Sequence, residues 1–260
     1  MDLARKVVLV TGASSGIGAA WAQALRRRGC QLALTARSAE KLAALAGADA
    51  ISIPGDLTAP ETRRRAVEAA MDRFGRIDVL INNAGVGLYA PTWTADPDAV
   101  RRMFELNYFA PLDMIQRCVP GMIKQGSGAI VNVSSIGGLA PLPWFTNYSA
   151  SKFALCGLTD GLRIELSRTG IRCMAVCPGY VRTGFQDNVI AGKPPEKLWR
   201  ARRFAITAEE CAEATVRGLE KGARTVVTPR LGWAFVLAYR LFPGLVDRQL
   251  AKIHDTLGMA

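Results

Sequence analysis

Val7-Val8-Leu9-Val10-Thr11-Gly12-Ala13-Ser14-Ser15-Gly16-Ile17-Gly18-Ala19-Ala20-Trp21-Ala22 is the stretch from which the fold is read. A short apolar run is followed by three closely spaced glycines and then by residues that favour helix. The order is strand, turn, helix. Gly12 suits a tight turn, Gly16 lets backbone approach a pyrophosphate, and Gly18 permits close helix–strand packing. The start of such a helix offers free N–H groups and a partial positive charge to an anion. The spacing is GxxxGxG, not the GxGxxG of the general dinucleotide fingerprint. Glycine-rich turns also occur as plain structural turns, but this one stands between a strand and a helix, which favours nucleotide binding.

Working outward, the same alternation continues almost to the C-terminus. Strand-like runs fall at 7–11, 31–36, 50–54, 79–82, 129–134, 172–177 and 225–228. They are rich in Val, Ile and Leu without polar alternation, as expected of strands covered on both faces. Helical stretches are expected at 17–28, 61–74, 97–124, 147–168 and 208–221. Such a sequence calls for a parallel sheet, doubly wound by right-handed crossovers, with its ligand beyond the carboxyl ends of the strands. No linker or repeat divides the chain, so one domain over 1–260 is expected, with a core at 5–228 and a variable tail at 229–260.

The second strand bears on the choice of nucleotide. It ends Leu34-Thr35-Ala36-Arg37-Ser38, about twenty residues past the turn, where a carboxylate would hold the ribose 2′-hydroxyl of NAD. Ala36 and Arg37 stand there instead, and a guanidinium can bind a 2′-phosphate in bidentate fashion. Arg37 is equally placed to be a surface residue opening the next helix. The expectation is NADP(H) ahead of NAD(H).

The 260 residues carry 33 Lys and Arg against 22 Asp and Glu, a net charge of +11. The basic residues are dispersed, without the single stripe and interleaved aromatics of a nucleic-acid surface, so nucleic acid is not expected as a partner. Such a field still favours anionic cofactors and substrates. Six scattered cysteines contain no CxxC pair and read as small core residues, with neither disulfide framework nor metal site. The single histidine, His254, argues against a His-based triad or zinc site and is expected at the surface. The opening residues lack a signal peptide, which leads to the expectation of a cytoplasmic protein.

Tyr148 and Lys152 stand four apart on an expected helix and share a face. A nearby ammonium, helped by the positive charge on an oxidised nicotinamide, favours the phenolate and lowers a tyrosine pKa that is otherwise about 10. The phenol then gives its proton to a carbonyl oxygen or takes one from an alcohol. Ser135, thirteen residues earlier and just past the fifth strand, offers a hydroxyl to the substrate oxygen; Ser134 is its competitor. The Tyr-x-x-x-Lys spacing alone also suits an ordinary solvated helix face.

The glycine turn, Asn82-Asn83-Ala84-Gly85 after the fourth strand, Tyr148-Ser149-Ala150-Ser151-Lys152 and Pro178-Gly179-Tyr180-Val181-Arg182-Thr183 after the sixth together resemble the main branch of the short-chain dehydrogenase/reductase family. The match runs in order over roughly residues 5–228. The resemblance implies a Rossmann-type sheet of about seven strands and a catalytic set of Asn107, Ser135, Tyr148 and Lys152. It selects Ser135 over Ser134, and gives Asn107 the support of a water-mediated proton path. It also implies cofactor contacts from Gly12, Ser14, Ser15, Gly16, Ile17, Gly18, Arg37, Asp56, Leu57, Asn83, Ala84, Gly85, Tyr148, Lys152, Pro178, Gly179, Val181 and Thr183. Of these, Asp56 equally suits the cap of a following turn. Ser135, Trp144, Tyr148 and Tyr180 are expected to meet the substrate, and a homodimer or homotetramer is implied through the helices at 97–124 and 147–168.

Trp144, Phe145, Trp199 and Phe204 suggest a lipophilic carbonyl or alcohol substrate, although packing would also explain them. A 3-oxoacyl thioester is the alternative, and a non-catalytic NADP(H)-binding sensor or scaffold the alternative of another class. The segment 231–246 departs from the family pattern. It is apolar, broken by Arg240 and Pro243, and too short to span a bilayer. It leaves three roles open: a cover for the site, a subunit interface, or peripheral membrane contact.

Overall fold

The computed structural model describes residues 1–192 and 205–254, with side chains to Lys252 at the C-terminal end; the side chain of His254 lies outside the described residues. Seven strands form one parallel sheet: β1 (Val7–Thr11), β2 (Gln31–Ala36), β3 (Ala50–Pro54), β4 (Val79–Asn82), β5 (Gly128–Val133), β6 (Ile171–Pro178) and, last in sequence, β9 (Thr225–Thr228). Their spatial order is β3-β2-β1-β4-β5-β6-β9. The order reverses between β1 and β4, so a crevice opens there beyond the strand ends. Two short strands, β7 (Val181–Arg182) and β8 (Ile206–Thr207), pair in a separate parallel ladder.

The helices are α1 (Gly16–Arg26), α2 (Ala39–Leu45), α3 (Pro60–Phe74), α4 (Pro97–Phe104), α5 (Ala110–Gln125), α6 (Thr146–Glu165), α7 (Ala208–Lys221), α8 (Gly232–Leu241) and α9 (Pro243–His254). Alternate strand residues point to opposite faces of the sheet. Val8, Val10, Leu32, Leu34, Ile81 and Val176 meet Trp21 and Leu25 of α1 and Val216 of α7. Leu9, Ala33, Leu80 and Ile130 meet Ala66 of α3, Met114 of α5 and Leu162 of α6 on the other face. Burying both faces is what the unbroken apolar strands require.

Local chemistry sets the helix ends. α3 begins with Pro60 in its first turn and stops at Gly75, whose φ of 74° is the left-handed stop. Thr207 and Glu210 form a reciprocal capping box at the start of α7. Asp78 anchors the start of β4 to β1 through the Val7 amide (3.0 Å), Arg76 (2.7 Å) and Lys6 (3.2 Å). Burial alone would raise its carboxyl, but these three donors hold it below the usual carboxylate range.

The expected single helix over 97–124 is interrupted. A π-helical turn spans Glu105–Phe109 between α4 and α5, with Asn107 inside it. The wider turn accompanies an Asn107 side chain committed to partners outside its own helix. Buried Arg63 braces this region, pairing with Glu105 (2.9 Å) and Asp113 (2.6 Å).

Candidate active site

The turn after β1 shows why each glycine is there. Gly12 and Gly16 have φ of 65° and 54°, in the left-handed region. A Cβ on Gly18 would sit 2.1 Å from the Gly12 carbonyl oxygen, and one on Gly12 would sit 2.9 Å from the Ala84 Cα. The loop after β4 holds the turn from the side. Asn83 Nδ2 donates to the carbonyls of Thr11 (2.8 Å) and Gly12 (3.1 Å). Thr11 Oγ1 accepts from the amides of Asn83 (2.9 Å) and Ala84 (3.0 Å). Asn83 and Ala84 thus shape the turn from behind, with Gly85 next in line.

Ser15 is the extended residue before α1, its side chain makes no capping bond, and the first turn holds no acidic residue. The leading amides of α1 are therefore not capped by a side chain, beside half-buried Ser14 and Ile17. At the end of β2, Arg37 is exposed and forms no ion pair with another described residue. Asp56 is also exposed and accepts from the Thr58 amide and hydroxyl, both at 2.9 Å. It closes a turn ahead of α3, whose own cap is Ala59, while Leu57 is buried beneath.

The second half of the crevice is built from α6, β5 and the π turn. Tyr148 and Lys152 share the buried face of α6, Lys152 being only 3% exposed. Lys152 Nζ lies 5.7 Å from the centre of the Tyr148 ring and donates to the Val133 carbonyl at 3.0 Å. A Cβ on Gly85 would come within 3.2 Å of both Lys152 Nζ and Asn107 Oδ1, so the three converge. Asn107 is wholly buried. Its Nδ2 donates to the Val86 carbonyl (2.9 Å) and Ser151 Oγ (3.0 Å), and its Oδ1 accepts from the Val86 amide (2.9 Å). Ser151 Oγ in turn donates to the Tyr148 carbonyl at 2.7 Å.

The two competing serines face different ways. Ser134 Oγ is buried and donates to the Lys152 carbonyl at 2.9 Å. Ser135 accepts from the Gly137 amide at 3.1 Å and hydrogen-bonds the Tyr148 side chain. Burial pushes the Tyr148 phenol above its ordinary value, with the Ser135 bond acting in the opposite direction. Burial also pushes the Lys152 ammonium down, to about 8. The expectation that the lysine would lower the phenol is therefore not met in the protein alone. Removal from water favours the neutral form of both groups.

An aromatic stack backs the phenol. Phe145 lies between Tyr89 and Tyr148, with ring centres 4.1 and 4.0 Å away, and Phe185 meets Tyr148 edge-on at 5.9 Å. Phe145 thus packs on the phenol ring itself. Trp144 before it is half-buried at φ 63°. Sequence reasoning missed Tyr89 and Phe185, which are brought to Tyr148 only by tertiary folding. Pro178 ends β6, and the Gly179 amide donates to the Thr228 carbonyl at 2.8 Å. A cleft of about 510 Å³ follows, lined by Tyr180, Val181, Arg182, Thr183, Gly184, Gln186 and Asp187. Thr183 also reaches the phosphate turn, its methyl 3.2 Å from where a Gly16 Cβ would be. Trp199 and Phe204, among the aromatic residues that suggested a lipophilic substrate, lie outside the described residues. All six cysteines are buried free thiols, and no group of three or more His, Cys, Asp or Glu suited to a metal occurs among the described residues.

Comparison with known proteins is consistent in both sequence and structure. The short chain dehydrogenase family model matches residues 6–194. An uncharacterized oxidoreductase of Staphylococcus saprophyticus is 35% identical over 228 residues, 85% of this chain and 94% of the relative. A short chain dehydrogenase from Burkholderia cenocepacia, solved in complex with NADP, superposes with a TM-score of 0.82 at 32% identity, covering 96% of this chain and 99% of that one. A 3-ketoacyl-(acyl-carrier-protein) reductase from Brucella melitensis, complexed with NADH, gives 0.80 at 26% identity, over 87% and 97% of the two chains. With the family model spanning most of the sheet and its site, the chain belongs to the short-chain dehydrogenase/reductase family of oxidoreductases.

Proposed function

We propose that this protein is an NADP(H)-dependent reductase or dehydrogenase that interconverts a carbonyl and an alcohol on a hydrophobic substrate. The observation that carries this reading is that Lys152 Nζ and Asn107 Oδ1 meet at Gly85, beside the glycine turn, while Ser135 and Lys152 both stand against Tyr148. The residues present fit a dinucleotide. Gly12 and Gly18 leave no room for a side chain, α1 presents amides without a side-chain cap, and exposed Arg37, without an ion pair to another described residue, is available to a 2′-phosphate.

When bound, the nicotinamide supplies or accepts the hydride. The chain's own residues handle the oxygen. Ser135 Oγ holds the substrate oxygen and steadies charge as it develops. Tyr148 Oη delivers its proton to that oxygen in reduction and removes it in oxidation. Lys152, charged below about pH 8, offsets the negative charge left on Tyr148 and is positioned for the nicotinamide ribose. Asn107 fixes the backbone of Val86 and, through Ser151, that of Tyr148. A panel of hydrophobic ketones and aldehydes with NADPH tests the assignment; no oxidation of NADPH with any of them would favour a non-catalytic sensor.

Two further outcomes are expected. Arg37→Ala should lower the preference for NADPH over NADH by roughly tenfold to a hundredfold, the range of a charge-assisted contact. The ratio of kcat/KM for the two cofactors is the readout. The rate of carbonyl reduction should fall as pH rises through about 8, because neutral Lys152 no longer offsets charge on Tyr148. Lys152→Met should be slow and lack that inflection in kcat/KM.

A 3-oxoacyl thioester is the second reading, supported by the named activity of the Brucella neighbour and by the basic surface, which suits an acidic carrier. The aromatic stack against Tyr148 favours a free lipophilic carbonyl. Homodimer or homotetramer formation is supported by exposed Phe109, Ile123, Phe153 and Ile164 on the helices expected at the interface. A single catalytic unit with core 5–228 and tail 229–260, acting in the cytoplasm, completes the proposal.

A further inference from the structure

The C-terminal helical pair presents more apolar surface than the rest of the fold explains. In α8, Val236 is fully buried, whereas Trp233, Leu237 and Leu241 form an exposed stripe at i, i+4 and i+8. Phe242 and Leu245 extend it onto α9, with Leu241 and Phe242 67% and 61% exposed. The rim is basic. Exposed Arg230, Arg240 and Arg248 form no ion pair with another described residue, and Asp247 is the sole acidic residue in 229–252.

We propose that α8 and α9 dock the protein onto an anionic lipid surface, on which it rests without crossing. No helix among the described residues is long and apolar enough to span a bilayer. Lying in the interface requires an apolar face flanked by cations, with aromatic rings at headgroup depth, and this pair provides both. Charge complementarity separates the lipid surface from a second copy of the chain. A two-fold contact through this patch would bring two sets of Arg230, Arg240 and Arg248 together, with one Asp247 from each copy as the acidic residues of the described part of 229–252. An anionic leaflet meets the same cations favourably, each contributing roughly fivefold in binding near the surface. The inference is independent of the reaction assigned above.

The test uses the full chain in co-sedimentation with vesicles of phosphatidylcholine alone and of phosphatidylcholine mixed with phosphatidylglycerol. Binding is expected to the mixed vesicles, strongest at low salt. Leu241→Glu with Phe242→Glu, and separately Arg240→Glu with Arg248→Glu, should each weaken it by roughly tenfold or more. These side chains are exposed, and unchanged NADPH binding reports that the variants are folded. Absence of sedimentation with mixed vesicles, or equal sedimentation by wild type and both variants, overturns the proposal. So does a dimer in analytical ultracentrifugation that Leu241→Glu with Phe242→Glu abolishes, since that assigns the face to a second copy.

Discussion

Tyr148→Phe is expected to reduce carbonyl turnover by roughly a thousandfold or more while NADPH binding stays within a few-fold of wild type. The substitution keeps the ring, and hence the stack against Phe145 at 4.0 Å, and deletes only the hydroxyl beside Ser135. No other described side chain with a proton to give at neutral pH stands in its place. Lys152 points to the Val133 carbonyl and the Gly85 crevice, and Ser135 ionises only far above neutrality. Burial raises the phenol, so the resting protein holds Tyr148 protonated, in the form needed to reduce a carbonyl. The ratio of single-turnover rates, together with fluorescence titration of NADPH, separates lost chemistry from lost binding.

Gly18→Ala is expected to have the second-largest effect, on cofactor binding and stability together. An added methyl would lie 2.1 Å from the Gly12 carbonyl oxygen and 2.7 Å from Asn83 Nδ2. The Gly12 oxygen is backbone of the turn, and Asn83 Nδ2 is tied down by its bonds to the Thr11 and Gly12 carbonyls, so neither yields freely. Separating α1 from the turn would displace the amides that receive phosphate, and overpacking of this kind costs about 1–3 kcal/mol or more. NADPH affinity should fall at least roughly tenfold, with a Tm lower by several degrees. Gly29→Ala is the contrasting control for space, since a Cβ there meets nothing within 4 Å, although its φ of 74° carries strain of its own. Wild-type affinity in Gly18→Ala would mean that the turn does not hold the phosphates.

The sheet was legible because its strands are apolar throughout. All seven expected runs appear in it, β5 and β6 differing by a residue at their ends. α2 was not expected; it is short and buries only Leu42, so it lacks an apolar stripe, although Ser38 as its cap and Glu40 in its first turn are a local signal. The π turn at Asn107 was hidden because the contacts it accompanies, to Val86 and Ser151, lie 21 and 44 residues away in sequence. The pairing of β7 with β8 is likewise a tertiary event between two-residue segments.

At the site, residue types were readable and energetics were not. The four-residue spacing of Tyr148 and Lys152 put both on one helix face, but how far each is buried depends on Phe145, Phe185 and the strands beneath. In the protein alone that burial raises the phenol, where the lysine and an oxidised nicotinamide together were expected to lower it. The resemblance selected Ser135 over Ser134, and the physical reason appears once β5 is set against α6, which commits Ser134 to the Lys152 carbonyl.

The most direct test supplies a hydrophobic ketone and NADPH carrying deuterium at its transferable hydride position. Mass spectrometry should find the label on the carbinol carbon of the product formed by the wild-type protein, and no labelled product above background with Tyr148→Phe. An unlabelled alcohol, or equal labelled yield from both proteins, would contradict a hydride delivered beside Gly85 and a proton delivered by Tyr148.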